Sequence, residues 1–201
     1  GVWHGEKFTQ MIWLCYRLKM LSPLQCKNWL TDAEWQYALA TSDKRARQFC
    51  NGRALVKKML QQLNTAEKAD IAISLPSDNA PTLTVNEKRW FLSLSHSKDA
   101  IVAALSDTDN IGVDIEQLKP RQYAQWHKDY AALQQTSDLN TFYQHWTRAE
   151  AYSKYSGKPL LQILSDGVPD EIPHQHLSLT GYMLCVVHHS VNAVITVSED
   201  N

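Results

Sequence analysis

The sequence has no excess of either charge: 20 Lys and Arg stand against 21 Asp and Glu, a formal net charge of -1. That balance excludes a general electrostatic pull toward nucleic acid or an anionic membrane, so a polyanionic ligand would need a local basic pocket. Long apolar runs are missing too. The longest, at residues 11–16, is far short of the ~20 residues that span a bilayer, and Arg17 and Lys19 follow it. No secretory or membrane-spanning segment is therefore expected, and the chain reads as cytoplasmic. Cys15, Cys26, Cys50 and Cys185 form no CxxC pair, which argues for buried free thiols over a disulfide or metal role. With only seven glycines and seven prolines, the chain has no disordered or fibrous bias. What is present is a 44% hydrophobic chain of 201 residues, enough for one compact domain or two tightly fused halves.

Aromatic and aliphatic residues over 8–18 read as an opening strand. Thr31 and Glu34 have capping-box spacing and start a short helix to residue 39. A long helix over 42–63 follows, with Phe49, Val56, Leu60 and Leu63 at helical spacing and Arg45, Arg47, Arg53, Lys57 and Lys58 elsewhere on its surface. Residues 76–81 carry two prolines and form a turn cluster. Strand patterns over 90–94, 100–105 and 111–115 read as a meander, and 123–135 as a polar helix. A further helix over 138–155 stops at Gly157 with Pro159 beyond. A hairpin over 177–179 and 184–187 and a last strand over 191–197 complete the reading. The run Leu92-Ser93-Leu94-Ser95 with 101–104 is echoed by Leu177-Ser178-Leu179-Thr180 with 184–187. This weak repeat suggests an α+β fold of two similar halves, residues 1–110 and 111–201, with a site at their seam.

Three elements carry chemistry. In Ile111-Gly112-Val113-Asp114-Ile115-Glu116 the aliphatic residues alternate with Gly112, Asp114 and Glu116, so both carboxylates leave one strand face about 6.6 Å apart. They can share a hard cation or form the solvated face of a half-buried strand; Gly112 leaves room for a ligand to approach. Trp146, Glu150 and Lys154 recur every four residues on one helix face, either a site wall or an ordinary Glu–Lys surface pair. Ser95-His96-Ser97 ends a strand in a loop that can donate hydrogen bonds to phosphate oxygens, unless His96 is simply a turn residue.

Together the blocks from Phe91 to Ser97, Gly112-Val113-Asp114-Ile115-Glu116, and Trp146-Thr147 with Glu150-Ala151 and Lys154 resemble the signatures of the large, pseudodimeric 4'-phosphopantetheinyl transferases, the surfactin-synthetase-activating type. The helix from Arg45 to Lys57 is similar to that family's N-terminal region. The resemblance implies a magnesium-dependent enzyme that moves phosphopantetheine from coenzyme A to a serine of an apo acyl or peptidyl carrier protein, releasing 3',5'-ADP. It implies Asp114, Glu116 and Glu150 as Mg²⁺ ligands, Ser95 and His96 as coenzyme A contacts, and Glu150 and Lys154 as catalytic groups. Arg47 and Arg53 are candidates for the 3'-phosphate and adenine end, since guanidinium groups bind phosphate in a bidentate manner. No nucleic acid or membrane partner is expected. A monomer is expected, because a pseudodimer needs no second chain to complete its site. The carrier is expected on a basic surface involving Lys57, Lys58 or Arg53. Ala80 and Ala149 stand where the family often has lysines, which leaves open a catalytically impaired coenzyme A or carrier-binding protein of the same fold.

Overall fold

The computed structural model describes residues 9–120, 129–134 and 136–201. Strand β1 (Met11–Arg17) is followed by a one-turn helix α1 (Pro23–Cys26) and by α2 (Asp32–Ala40). The capping box holds: Thr31 Oγ1 accepts from Glu34 N, and Glu34 Oε1 accepts from Thr31 N at 2.9 Å. Helix α3 (Asp43–Gln62) is capped by Ser42. Strands β2 (Ile71–Ile73), β3 (Leu83–Val85), β4 (Lys88–Ser97), β5 (Ala100–Ser106) and β6 (Ile111–Gln117) follow. Helix α4 (Leu139–Ser156) starts at the Asp138 cap and ends on Gly157 at φ 74°, where a left-handed residue closes the last turn. Helix α5 (Leu160–Asp166), β7 (His174–Leu179), β8 (Tyr182–His188) and β9 (Val194–Glu199) complete the order. Of the polar helix expected over 123–135, residues 123–128 and 135 lie outside the described residues; 131–133 form a short 3-10 turn.

The strands make two sheets, one of six in the order β2-β3-β4-β5-β1-β9 and one of three in the order β6-β8-β7. The expected meander is corrected here. β4 and β5 are an antiparallel pair, but β6 leaves that sheet and pairs with β8. Alternation in the sequence reports which residues share a face, not which neighbour a strand takes, so β6 could not be assigned a sheet from its pattern alone. The last strand, β9, pairs in parallel with β1 and returns the chain to the larger sheet.

Four layers result from the periodicities. Ile101, Ala103 and Leu105 of β5 pack with Leu55, Val56, Met59 and Leu60 of α3. The intervening residues Val102 and Ala104 pack with Ile111, Val113 and Ile115 of β6 and Leu184 and Val186 of β8. β5 is thus buried on both faces and reads as a continuous apolar run. On the outer face of the small sheet, Cys185 and Val187 pack with Ala151 of α4. Asp114, offset by one residue from the core-facing set, therefore points out of the sheet–sheet core and toward α4.

Candidate active site

Gly112 brings helix and strand together. A Cβ built there would lie 2.1 Å from Ala151 O and 2.7 Å from Tyr155 N. The space expected for a ligand is instead filled by the α4 backbone, and glycine is required for that approach. Tight contact at Gly112 puts Glu150, one helical turn before Lys154, over the acids of β6. One ligand oxygen each from Asp114, Glu116 and Glu150 falls within 4.8 Å of the others. Strand alternation and helical spacing have thus converged on one cluster.

The seam beside this cluster is closed by side chains. β6 is an edge strand of the small sheet, and its outward N–H groups meet serines of β4. Val113 N donates to Ser93 Oγ (3.0 Å), Ile115 N to Ser95 Oγ (3.1 Å) and Gln117 N to Ser97 Oγ (2.9 Å). The spacing of two on both strands makes the three bonds repeat. Lys154 Nζ supplies the complement, donating to Leu94 O (3.1 Å) and Val113 O (3.0 Å). Edge groups that would otherwise be orphaned are satisfied without direct strand pairing.

Asp114 is 1% exposed. Its Oδ1 accepts from Ser95 Oγ at 3.0 Å and lies 3.8 Å from Lys154 Nζ, while Oδ2 is buried with no hydrogen-bond partner among the described residues. Burial holds this carboxyl well above the usual carboxylate range; Lys154 opposes the rise, Glu150 and Glu116 add to it, and the Ser95 hydrogen bond moderates it. Cys185, across from Asp114 on β8, gives the site a buried thiol floor, its own ionisation suppressed by burial and by the Asp114 charge. Asp114 Oδ2, a buried oxygen without a donor among the described residues, has the chemistry of a cation ligand.

Next to the acids lies a cavity of about 220 Å³ lined by Arg45, Phe49 and Arg53 of α3 together with Ser95 and His96. Arg53 is 6% exposed, stacks its guanidinium on Phe49 at 4.5 Å, and donates from Nη2 to Ser74 O at 2.7 Å. Its Nε is buried without a partner among the described residues. His96 is an exposed residue whose ring is partly desolvated, and that desolvation first, then Lys154 and Lys44, pushes it below its usual value. Arg47 is not part of this wall: its guanidinium donates to Met20 O at 2.8 Å and pairs with Asp99 at 3.2 Å. Arg45 takes the place beside Arg53. Residues 45, 49 and 53 recur every four positions and share a helix face, whereas residue 47 projects from the far side, a signal already present in the spacing.

No family model matches the chain. Among individual proteins, it is 30% identical over 151 residues to the 4'-phosphopantetheinyl transferase AcpT of Escherichia coli (strain K12), covering 70% of this chain and 72% of that protein. It is 26% identical over 187 residues to the 4'-phosphopantetheinyl transferase ffp of Bacillus subtilis, covering 80% of this chain and 82% of the relative. A third match, 27% over 142 residues and 62% of each chain, is to the 4'-phosphopantetheinyl transferase Sfp of Bacillus subtilis (strain 168). The chain belongs to the 4'-phosphopantetheinyl transferase family. The matches to Sfp and ffp support its assignment to the Sfp type.

Two features of this transferase look different in the structure than in the sequence. Ala149 is fully buried and packs with Phe142, Ile163, Leu164 and Met183. Position 149 faces the interior here, so alanine there removes no cation from the acid cluster. Ala80 is exposed and borders a second cavity of about 320 Å³ that Lys154 also lines. The basic carrier surface expected on α3 is corrected. Lys57 is 1% exposed and paired with the buried Glu34, Arg53 is buried, and Lys58 bonds to Asp200 at 3.4 Å. Basic residues on a helix signal a solvated face only when no buried acid faces them, and Glu34 comes from a different helix.

Proposed function

We propose that this transferase moves the 4'-phosphopantetheine of coenzyme A onto a serine hydroxyl of an apo acyl or peptidyl carrier protein, with Mg²⁺ held by Asp114, Glu116 and Glu150. The single observation that carries this reading is the convergence of those three carboxylates within 4.8 Å in a chain of this family. The donor set fits a hard cation, since Mg²⁺ takes carboxylate and water oxygens and leaves positions for a diphosphate. When bound, the ion supplies neutralisation of diphosphate charge and orientation of the reacting phosphorus.

In the transfer, the serine oxygen forms a bond to the phosphorus that bears the pantetheine arm, and the bond from that phosphorus to the 3',5'-ADP oxygen breaks. The serine proton must leave; Glu150, directly or through a water it orients, is positioned on the helix face that meets β6 to take it. Lys154 stands at the seam with its ammonium 3.8 Å from Asp114 Oδ1, where it can stabilise the leaving diphosphate oxygen or give it a proton. The cavity with Arg45, Phe49, Arg53 and His96 suits the nucleotide end of coenzyme A. The exposed Arg45 and the buried Arg53, the latter seated on the Phe49 ring, offer guanidinium groups for bidentate phosphate contacts. His96 borders this cavity, where a phosphate beside it would favour the protonated ring.

The two α-on-sheet halves stacked through their sheets support a pseudodimer cut near residues 110 and 111, with β9 crossing back. Such a chain completes its own site as a monomer. The four cysteines are free and buried, which supports a reducing, cytoplasmic setting. No helix among the described residues is long and apolar enough to cross a membrane.

The test is transfer itself. Incubated with coenzyme A, Mg²⁺ and a panel of apo carrier proteins, the chain should add one phosphopantetheinyl unit to a carrier by intact mass and release 3',5'-ADP. No mass gain on any carrier, with no 3',5'-ADP, would overturn the proposal. Asp114→Ala and Glu150→Ala should each lower turnover at least about a hundredfold while the circular dichroism spectrum is kept, the scale of losing one essential charge-stabilising group.

A further inference from the structure

Resting on the reading of Asp114, Glu116 and Glu150 as the metal cluster, we propose that Ser95 is a positioning residue for the metal ligand Asp114, not a contact for coenzyme A phosphate. The polarity of its hydroxyl decides this. Ile115 N can only donate, so Ser95 Oγ accepts that bond through a lone pair at 3.1 Å. Its proton is then free for Asp114 Oδ1 at 3.0 Å, which in the ionised form that a metal requires can only accept. With 5% of its surface exposed, Ser95 has its donor and one acceptor position committed inside the seam.

Oδ1 is thereby held by Ser95, with Lys154 Nζ at 3.8 Å. Oδ2 is left as the buried oxygen with no hydrogen bond among the described residues, the atom available to a cation. A ligating carboxylate whose second oxygen is fixed loses less freedom when the ion arrives. Outer partners of this kind commonly affect metal affinity or activity by about 10–100-fold.

Ser93 is the internal control. It sits two residues away on the same face of β4, is equally buried, and accepts from Val113 N at 3.0 Å, but it has no bond to a ligand carboxylate. A purely structural seam would make the two serines equivalent.

The experiment measures Mn²⁺ binding to the full chain by calorimetry and by the loss of the free-ion paramagnetic resonance signal, without coenzyme A or carrier. Ser95→Ala should weaken Mn²⁺ binding about 10–100-fold, Ser95→Thr should recover most of it, and Ser93→Ala should stay within about twofold of the parent. In transfer assays at saturating metal, KM for coenzyme A in Ser95→Ala should be unchanged. Unchanged Mn²⁺ affinity with a raised KM for coenzyme A would overturn the proposal in favour of a phosphate contact. Equal losses in Ser95→Ala and Ser93→Ala would overturn it in favour of a structural seam. A parent chain that takes up no Mn²⁺ would overturn the metal reading, and this inference with it. Should Ser95→Ala fail to fold, the comparison is made with Ser95→Cys, which keeps the volume and weakens the donor.

Discussion

Among the described residues a lysine meets a buried carboxylate at two places, and the two could hardly be used more differently. Between α2 and α3, Glu34 and Lys57 are both buried and directly paired, and the same Glu34 oxygen closes the capping box of α2. At the seam, Lys154 lies 3.8 Å from Asp114 and spends its hydrogen bonds on the carbonyls of Leu94 and Val113. Glu116 and Glu150 crowd the same acid, and one Asp114 oxygen has no donor among the described residues. The first pair is electrically complete and locks two helices. The second leaves one buried Asp114 oxygen without a donor among the described residues, and that oxygen suits the site to bind a cation.

Breaking the complete pair should have the largest effect on stability. Lys57→Ala leaves Glu34 charged, buried and short of a partner, a change that costs about 3–5 kcal/mol, to be read from urea unfolding. Replacing both residues together, Glu34→Gln with Lys57→Met, should recover most of that loss, because apolar or neutral substitutes escape the desolvation penalty. If Lys57→Ala unfolds like the parent, the pair is not the lock described here.

Gly112→Ala comes next. The added methyl would meet Ala151 O at 2.1 Å, backbone that moves only if α4 moves. Overpacking of this kind costs about 1–3 kcal/mol. Since α4 carries Glu150 and Lys154, Mn²⁺ affinity and transfer should fall with it. A variant of parental stability and affinity would show that the close approach of helix and strand does not build the site.

These two substitutions also mark where the sequence could be read and where it could not. Local signals were reliable: the Thr31–Glu34 capping box, the long helix α3 and the Gly157 stop of α4 stand where spacing and cap residues put them. The acids were legible because strand and helix periodicities fix faces without reference to partners. What failed depended on pairing between distant elements. Lys57 has the pattern of a surface cation because its partner Glu34 lies 23 residues away on another helix. The Gly112 vacancy has the look of ligand space in the sequence because nothing local says that α4 fills it. Nothing in the pattern of the β4 serines signals that they replace a strand's hydrogen bonds, and alternation is silent on whether β6 lies beside β5 or β8.

A smaller effect, opposite in sign, is expected at the incomplete site. With metal removed, Asp114→Asn should raise Tm by a few degrees, about 1 kcal/mol corresponding to roughly 2–4 °C in a chain of this size. It removes a buried negative charge that Glu116 and Glu150 repel, whereas Lys57→Ala creates an unpaired one. A lower Tm in Asp114→Asn would mean that the Lys154 and Ser95 contacts outweigh burial and repulsion, and that the seam acid is as structural as Glu34.

The finest discrimination comes from pH. An unfolded aspartate titrates near 3.9, and the Asp114 carboxyl is raised well above that in the fold, by burial first. Between the two values the folded state binds more protons than the unfolded one, so stability falls as pH rises. This contribution is fully present below about pH 3.9 and is lost as pH climbs through the raised folded value. Mg²⁺ requires the ionised carboxylate and should act in the opposite direction, its protection growing with pH. Thermal melts with and without Mg²⁺ should therefore separate more at pH 8 than at pH 5 in the parent and in Lys57→Ala, whatever the latter has lost in absolute stability. In Asp114→Asn that pH-dependent separation should largely vanish. An equal Mg²⁺ shift at both pH values in the parent would show that the cation draws nothing from the ionisation of Asp114. The open Asp114 oxygen that distinguishes the seam from the Glu34–Lys57 lock would then have no part in metal binding.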